Sequence, residues 1–220
     1  MEVVALLPMK GHSERVPGKN LRSIAGKPLY HWVTEALLAA KTVNRVVVDT
    51  DSDAIAEHVF GSFPNVEIHR RPSHLHGDLV AMHDIVAYLA HAIEGDVFLQ
   101  THSTNPLLRA ETIDAAVTAF LEEGSHDSLM SVTPWQTRFY FSDGRPVNHD
   151  PDVLLRTQDL SPLLEENSNL YIAARELILR TGRRVGSKPL LFPIERREAT
   201  DIDEELDFMV AEFLLRHTDG

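Results

Sequence analysis

The sequence predicts an α/β fold built on a doubly wound, mostly parallel sheet, with a small β-rich insertion in its second half. Through residue 133, short apolar runs alternate strictly with segments of helical periodicity, the pattern of strands joined by crossover helices. From residue 138 that alternation breaks into short β-like runs around a Ser-Asp-Gly turn. The first apolar run also empties into a basic, small-residue loop, residues 10–20. This puts backbone N–H groups and fixed positive charge at the carboxyl end of a strand, where open α/β sheets bind phosphates.

Residues 3–7 (VVALL) read as a buried first strand closed by Pro8. After a turn at Gly26-Lys27-Pro28, a helix over 29–38 puts Leu29, Val33, Ala36 and Leu37 on one face. Residues 44–51 (NRVVVDTD) form a second buried strand, ending in carboxylates on both sides of Thr50. A short helix, 52–60, a turn, 61–65, and a third strand, 66–69, follow; Arg70-Arg71-Pro72 ends that strand. Gly77-Asp78 opens a helix over 79–93, with Asp78 a candidate N-cap. Residues 96–100 (DVFLQ) are a fourth strand, 101–106 a polar loop, 110–122 a helix and 129–133 a fifth strand.

Residues 138–147 (RFYFSDGRPV) then read as a hairpin and 150–167 as irregular, polar chain. Strand character returns at 169–173 and 190–194, with a helix over 175–180 between them. An acidic stretch, 200–205, leads into an amphipathic helix over 206–215. Trp32, Phe98, Phe120, Phe208 and Phe213 fall on apolar faces and are assigned to the core. The chain is expected to be one domain, 1–220, with 136–168 as an insertion that covers a site or reaches a partner subunit.

Composition narrows the function. Against 21 Lys and Arg stand 33 Asp and Glu, a formal charge of −12. A chain this acidic lacks the field that gathers nucleic acid or an anionic membrane, so an anionic ligand needs a local basic pocket or a cation. The absence of cysteine removes thiol catalysis, disulfides and cysteine-type zinc sites. No apolar run is long enough to span a bilayer and no signal-peptide pattern opens the chain, so the cytoplasm is the expected compartment.

Several acids have two readings. Asp201 and Asp203 are two apart and would face one way in extended chain, as a metal pair requires. Asp203, Glu204 and Glu205 are equally the acids that cap and charge a helix start. Asp51 or Ser52 could cap the helix that follows. His74, His76 and His83, with Asp78 and Asp84, raise a transition-metal site, but their spacing defines no scaffold for one. His102 reads either as a solvated loop histidine or as a general base.

In order along the chain, six elements resemble those of the acylneuraminate (CMP-sialic acid) cytidylyltransferases. Within the basic loop, Ser13, Pro17, Lys19 and Asn20 match in place. The strand Val47-Val48-Asp49-Thr50-Asp51, then Arg71-Pro72 with Gly77-Asp78, and then Gln100 through Pro106-Leu107-Leu108-Arg109 follow. Asn167 with Tyr171-Ile172 is the fifth element, and the run from Asp201 to Asp207 (DIDEELD) is the sixth.

The resemblance implies a fold like that of the nucleotide-diphospho-sugar transferases. It implies attack by an acceptor oxygen on the α-phosphorus of CTP, with pyrophosphate leaving and Mg²⁺ as cofactor. Lys10, Arg15 and Lys19 would then form the electrostatic cradle. Ser13, Asn20, Arg71, Asp78, Gln100 and Asn167 would contact substrates, with Arg71 beside the cytosine, and Asp201 and Asp203 would hold Mg²⁺. The partners implied are CTP, an acidic sugar acceptor (sialic acid, a related nonulosonate or another 2-keto acid sugar) and a second copy of the chain.

The departures bear mainly on the acceptor. Lys10 stands where arginine is usual, and Glu14-Arg15 where Lys-Gly is usual. Glu165-Glu166 precedes Asn167 where sialic-acid enzymes show Arg-Pro, an anion in place of a cation, which opens phosphonate or 3-deoxy-manno-octulosonate-like acceptors. The loop 100–106 lacks the acid carried by the octulosonate enzymes. The Asp-Ile-Asp close argues against a sugar-1-phosphate nucleotidyltransferase using another NTP. Lys19 with Asp201 and Asp203 argues against a non-catalytic relative.

Overall fold

The computed structural model describes residues 1–217. Strand β1 (Val3–Met9) is buried at all seven positions and lies third in a seven-stranded sheet. A one-turn 3-10 helix, Lys19–Leu21, and a two-residue ribbon of β2 (Ser23–Ile24) and β3 (Lys27–Pro28) lead into helix α1 (Leu29–Ala39). Then come β4 (Arg45–Thr50), α2 (Asp53–Ser62), β5 (Glu67–Arg70), α3 (Met82–Ala92), β6 (Val97–Gln100), α4 (Ala110–Glu122) and β7 (Ser128–Trp135). The chain closes with β8 (Leu163–Ala174), α5 (Arg175–Thr181), β9 (Pro189–Pro193) and α6 (Glu205–Arg216). Among the described residues, no helix is long and apolar enough to cross a membrane.

The strand order is β5-β4-β1-β6-β8-β7-β9. Neighbours pair in parallel except β8, which runs antiparallel to both β6 and β7. The expected sheet is therefore present with one reversed strand. The strict alternation that predicted parallel strands ends with β7, and the long excursion after it lets the chain re-enter the sheet in the opposite sense. Period-two alternation sends β1 side chains to both faces. Val3, Ala5 and Leu7 meet α1, α2 and α4, while Val4 and Leu6 meet α3 and α5. At about 1.5–3 kcal/mol for each fully buried Val or Leu, β1 anchors both layers.

A smaller cluster joins Val16, Ile24 and Leu29 to Leu107, Ile202, Phe208, Ala211 and Leu215. It packs the loop after β1 against α6, and Arg22 reinforces it by pairing with Glu205 at 2.6 Å while lying 4.0 Å over the Phe208 ring. That packing brings residues 10–20 beside residues 201–203.

Several elements differ from expectation. Helix α3 begins at Met82, with Ala81 as its N-cap, because the chain at Gly77 adopts φ +104 and stays irregular through residue 80. Asp78 therefore caps nothing. The expected hairpin over 138–147 keeps its backbone bonds, Phe141 N–H to Arg145 O and Val147 N–H to Phe139 O, but pairs in only one bridge, Tyr140 with Pro146. Residues 163–167, read as irregular, are the first half of β8. Phe213 is 60% exposed, part of an outward stripe on α6 with Leu206, Met209 and Val210, and is not core.

Candidate active site

A cleft of about 400 Å³ opens beyond the carboxyl ends of β1 and β6. Of the residues that the sequence singled out, Lys10, Ser13, Arg15, Lys19, Asn20, Asp78, Asp201 and Asp203 line it together. Gly11 holds the loop's first turn. Its N–H donates to Asp51 Oδ1 at 2.7 Å, and a Cβ there would lie 2.7 Å from Ser52 Cβ, a contact only glycine avoids. Ser52, not Asp51, caps α2, accepting from Ile55 N–H.

Asn20 ties the loop to the β6 side. It donates to Lys10 O at 2.9 Å and accepts from Ser103 Oγ at 2.6 Å. Across the cleft mouth, Lys10 Nζ donates to Asp78 Oδ1 at 2.8 Å, which holds the Asp78 carboxyl below its usual range. Both side chains are nearly half exposed, so solvent screens the pair and it parts readily for a ligand.

On the opposite wall, Arg15 pairs with Asp203 Oδ1 at 2.7 Å, and Lys19 Nζ donates to Ile202 O at 2.6 Å. Burial lowers the Lys19 ammonium, while Asp201 and Asp203 pull the other way. Burial also raises Asp201 above the ordinary carboxylate value, and Asp203 adds to this; the Thr104 hydroxyl and Lys19 oppose it. Asp201 Oδ1 is buried without a hydrogen-bond partner.

Neither aspartate is spent on capping. Glu204 caps α6, and Asp207 closes a capping box by accepting from Glu204 N–H at 2.8 Å and Asp203 N–H at 3.0 Å. An orphaned carboxylate oxygen beside a second carboxylate is the hard-oxygen donor set that suits Mg²⁺. The described residues hold one other cluster of possible ligands, His12, Glu14 and Asp78, with donor atoms within 4.8 Å of one another. It is exposed, and Asp78 is already paired with Lys10. The histidines first raised as a metal site face other partners: His74 meets the Tyr88 ring, His76 bonds Arg71 O, and His83 lies 3.4 Å from Asp84.

Three expected contact residues do not line the cleft. Arg71 is buried, its Nε donating to Asp49 Oδ2 at 2.6 Å and Asp51 lying 4.0 Å away. Gln100 is buried beneath the cleft floor. It donates to Thr101 O and accepts from Arg184 Nη1, and its Nε2 lies 3.1 Å from His102 Nε2. The Asn167 side chain is engaged by the sheet, accepting from Ser131 Oγ and Asn169 N–H and donating to Thr133 Oγ1. These bonds span the bulge where β7 slips against β8 between Met130 and Val132. It is the next residue, Ser168, that enters the cleft wall, with φ +59.

Residues 4–213 match the sequence family described as Cytidylyltransferase. The chain belongs to that family. It is 30% identical to an N-acylneuraminate cytidylyltransferase A of Danio rerio over 96% of its own length, but spans only half of that protein. It is also 30% identical to a CMP-N,N'-diacetyllegionaminic acid synthase of Legionella pneumophila, covering 98% of this chain and 97% of that one. In fold it is similar to a CMP:2-keto-3-deoxy-manno-octonic acid synthetase solved with CTP, with a TM-score of 0.70, 14% identity and coverage of 99% and 100%.

Three residues of the site escaped the sequence reading or were misjudged by it. His102 is no solvated loop residue. It lines the cleft, and burial, followed by Arg184 and Lys19, pushes its imidazole down to about 4. Glu198 is buried and accepts from Arg109 N–H, the Arg109 guanidinium and the Thr112 hydroxyl, while its carbonyl accepts from Asn169. It locks the segment that carries Asp201. Arg184, from the turn after α5, reaches Gln100 and stacks on Tyr171. Its only sequence signal was the Arg183-Arg184 pair in a turn, with nothing to say where that turn points.

Proposed function

We propose that the chain transfers CMP from CTP to an acidic sugar acceptor, a nonulosonate or related 2-keto acid sugar, and releases pyrophosphate with Mg²⁺ as cofactor. One observation carries the reading. The cationic loop, Lys10 through Lys19, faces Asp201 and Asp203 across a single cleft at the end of β1. Cations and N–H groups there suit a triphosphate, and paired carboxylates suit the cation that accompanies one.

In this reading Lys10 and Arg15 leave their carboxylate partners to bind phosphate oxygens. Lys19, anchored on Ile202 O beside both aspartates, neutralises charge as pyrophosphate departs. Asn20 fixes the loop and meets the nucleotide's polar edge, with Ser13 and Asp78 around the phosphates. Asp201 and Asp203 would hold the Mg²⁺, which when bound supplies charge neutralisation at the phosphates. Arg71 serves from below, fixing Asp49 and Asp51 under the loop, and Asn167 serves by fixing Ser168.

Support for an acidic acceptor comes from the named relatives. We also propose a homodimer, because the segment 136–164 exposes Tyr140, Phe141, Leu154 and Leu164, a set of apolar side chains that needs a partner. Pyrophosphate release tests the reaction. Release with CTP and Mg²⁺ on adding N-acetylneuraminic, diacetyllegionaminic or 3-deoxy-manno-octulosonic acid supports the reading. Release with UTP or GTP and a sugar-1-phosphate overturns it. Sedimentation of the intact chain tests the dimer.

A further inference from the structure

Glu165-Glu166 leaves the acceptor side of β8 without the cation that an acidic substrate would need from that strand. A different element supplies one. Arg184 reaches in from the turn after α5, its guanidinium carbon 3.5 Å from the centroid of the Tyr171 ring and its Nη1 donating to Gln100 Oε1. Gln100 and Tyr171 are partners in the β6–β8 register, so the arginine straddles two adjacent strands. Tyr171 is itself fixed, its hydroxyl donating to Glu166 and lying 3.2 Å from Ser168 Oγ.

This cation is poorly paired. Among the described residues its only hydrogen bond is to a neutral amide and no carboxylate forms an ion pair with it. Burial lowers its pKa, with Tyr171 and Glu166 opposing. Withdrawing a guanidinium from water without a counter-ion is costly, and an anion that arrives at such a site is bound strongly. The fork has donors to spare after the Gln100 bond. The neighbours of Arg184 open into the cleft, since His102, beside Gln100, and Ser168, beside Tyr171, both line it.

Resting on the cytidylyltransferase reading above, we propose that Arg184 is the residue of this chain that receives the acceptor's carboxylate. Gln100 and the Tyr171 ring hold the guanidinium flat. Glu166, exposed and engaged with Tyr171 through one oxygen, turns its other oxygen to the acceptor's hydroxyl or amide N–H groups. Arg184 thus stands in for the strand cation that Glu165-Glu166 displaced.

The test uses the full chain with N-acetylneuraminic acid, N,N'-diacetyllegionaminic acid and 3-deoxy-manno-octulosonic acid, each paired with its methyl ester. Pyrophosphate release and calorimetric binding in the presence of a non-hydrolysable CTP analogue are the readouts. In the wild type, the best acid should bind at least about 10-fold more tightly than its ester. Arg184→Gln should raise the acid's KM by about 10- to 100-fold, erase the acid–ester difference and leave CTP affinity within about two-fold. Arg184→Lys should recover part of the loss, keeping the charge without the fork. Equal losses for acid and ester, or a matching loss of CTP affinity, would mean a structural role and overturn the proposal. So would failure of all three acids to bind the wild type. Intact CTP binding in that last case would leave the nucleotidyl-transfer reading standing, whereas failure to bind CTP would remove both.

Discussion

The two halves of the cleft are built by opposite means. The proposed nucleotide half draws Lys10, Ser13, Arg15, Lys19 and Asn20 from one eleven-residue loop and sets them against Asp78 and the short segment 201–203. The proposed acceptor half is assembled from several elements: Gln100 and His102 from the end of β6 and the loop after it, Ser168 and Tyr171 from within β8, and Arg184 from the turn after α5. The nucleotide half pairs its charges internally, Lys10 with Asp78 and Arg15 with Asp203, whereas the acceptor half holds its cation against a ring and an amide. Under the proposed function, the first arrangement is a resting state that a polyanion would open, and the second is preorganised for one small anion.

The sharpest way to break this contrast is at Asp201. Its buried, partly unpartnered carboxylate is destabilising in the folded chain, since burial raises its pKa. Asp201→Asn should therefore keep or raise the melting temperature while turnover falls by roughly 10³-fold, a loss of about 4 kcal/mol of transition-state stabilisation. Added Mg²⁺ with CTP should stabilise the wild type in a thermal melt and the variant far less. Asp203→Asn should also lower turnover greatly with the fold intact. Retained activity in either variant at low Mg²⁺ would remove the metal from this half of the cleft.

Next in size is Asp49. If Arg71 serves as scaffold beneath the nucleotide half, its buried pair with Asp49 carries a structural load. Asp49→Asn leaves the buried guanidinium with only the more distant Asp51, 4.0 Å away, and denaturant unfolding should show a loss of about 3 kcal/mol. A small stability loss coupled to a large rise in the KM for CTP would return Arg71 to direct nucleotide contact.

This is also where the sequence was most and least legible. The apolar alternation gave the sheet, and the contiguous signatures gave the cationic loop and the Asp201–Asp203 pair, because residues close in sequence share one local geometry. Arg71, Gln100 and Asn167 were singled out by motif, but their side chains are absorbed by Asp49, Thr101 with Arg184, and the β7 bulge. A motif reports that a residue type matters and not which way it faces. Arg184 and Glu198 left no local pattern, because their partners are fixed only when β8 reverses direction and joins β6 to β7.

His102 tests the acceptor half by pH. Unfolded, its imidazole takes a proton near 6.5; in the folded cleft it does so only at about 4. Between those values the unfolded chain holds the extra proton, so stability falls as pH drops. The loss begins near 6.5, is complete below about 4 and amounts to roughly 3 kcal/mol. His102→Gln should flatten that limb of the stability curve measured by urea unfolding. An unchanged slope would place the imidazole in water and detach it from Arg184 and Lys19.

The smallest effect sharpens the junction between the halves. Ser168 sits on the cleft wall at φ +59, a left-handed conformation that side chains resist, and its hydroxyl lies 3.2 Å from the Tyr171 hydroxyl. Ser168→Gly and Ser168→Ala both delete that hydroxyl, but only glycine relieves the backbone. The glycine variant should be the more stable of the two by about 1 kcal/mol. If the hydroxyl also steadies Tyr171 under Arg184, both variants should raise the acceptor KM by the same small factor, a few-fold, with the KM for CTP unmoved. A rise in the alanine variant alone would assign the effect to backbone strain, and the acceptor half would then depend on Tyr171 being held by Glu166 instead.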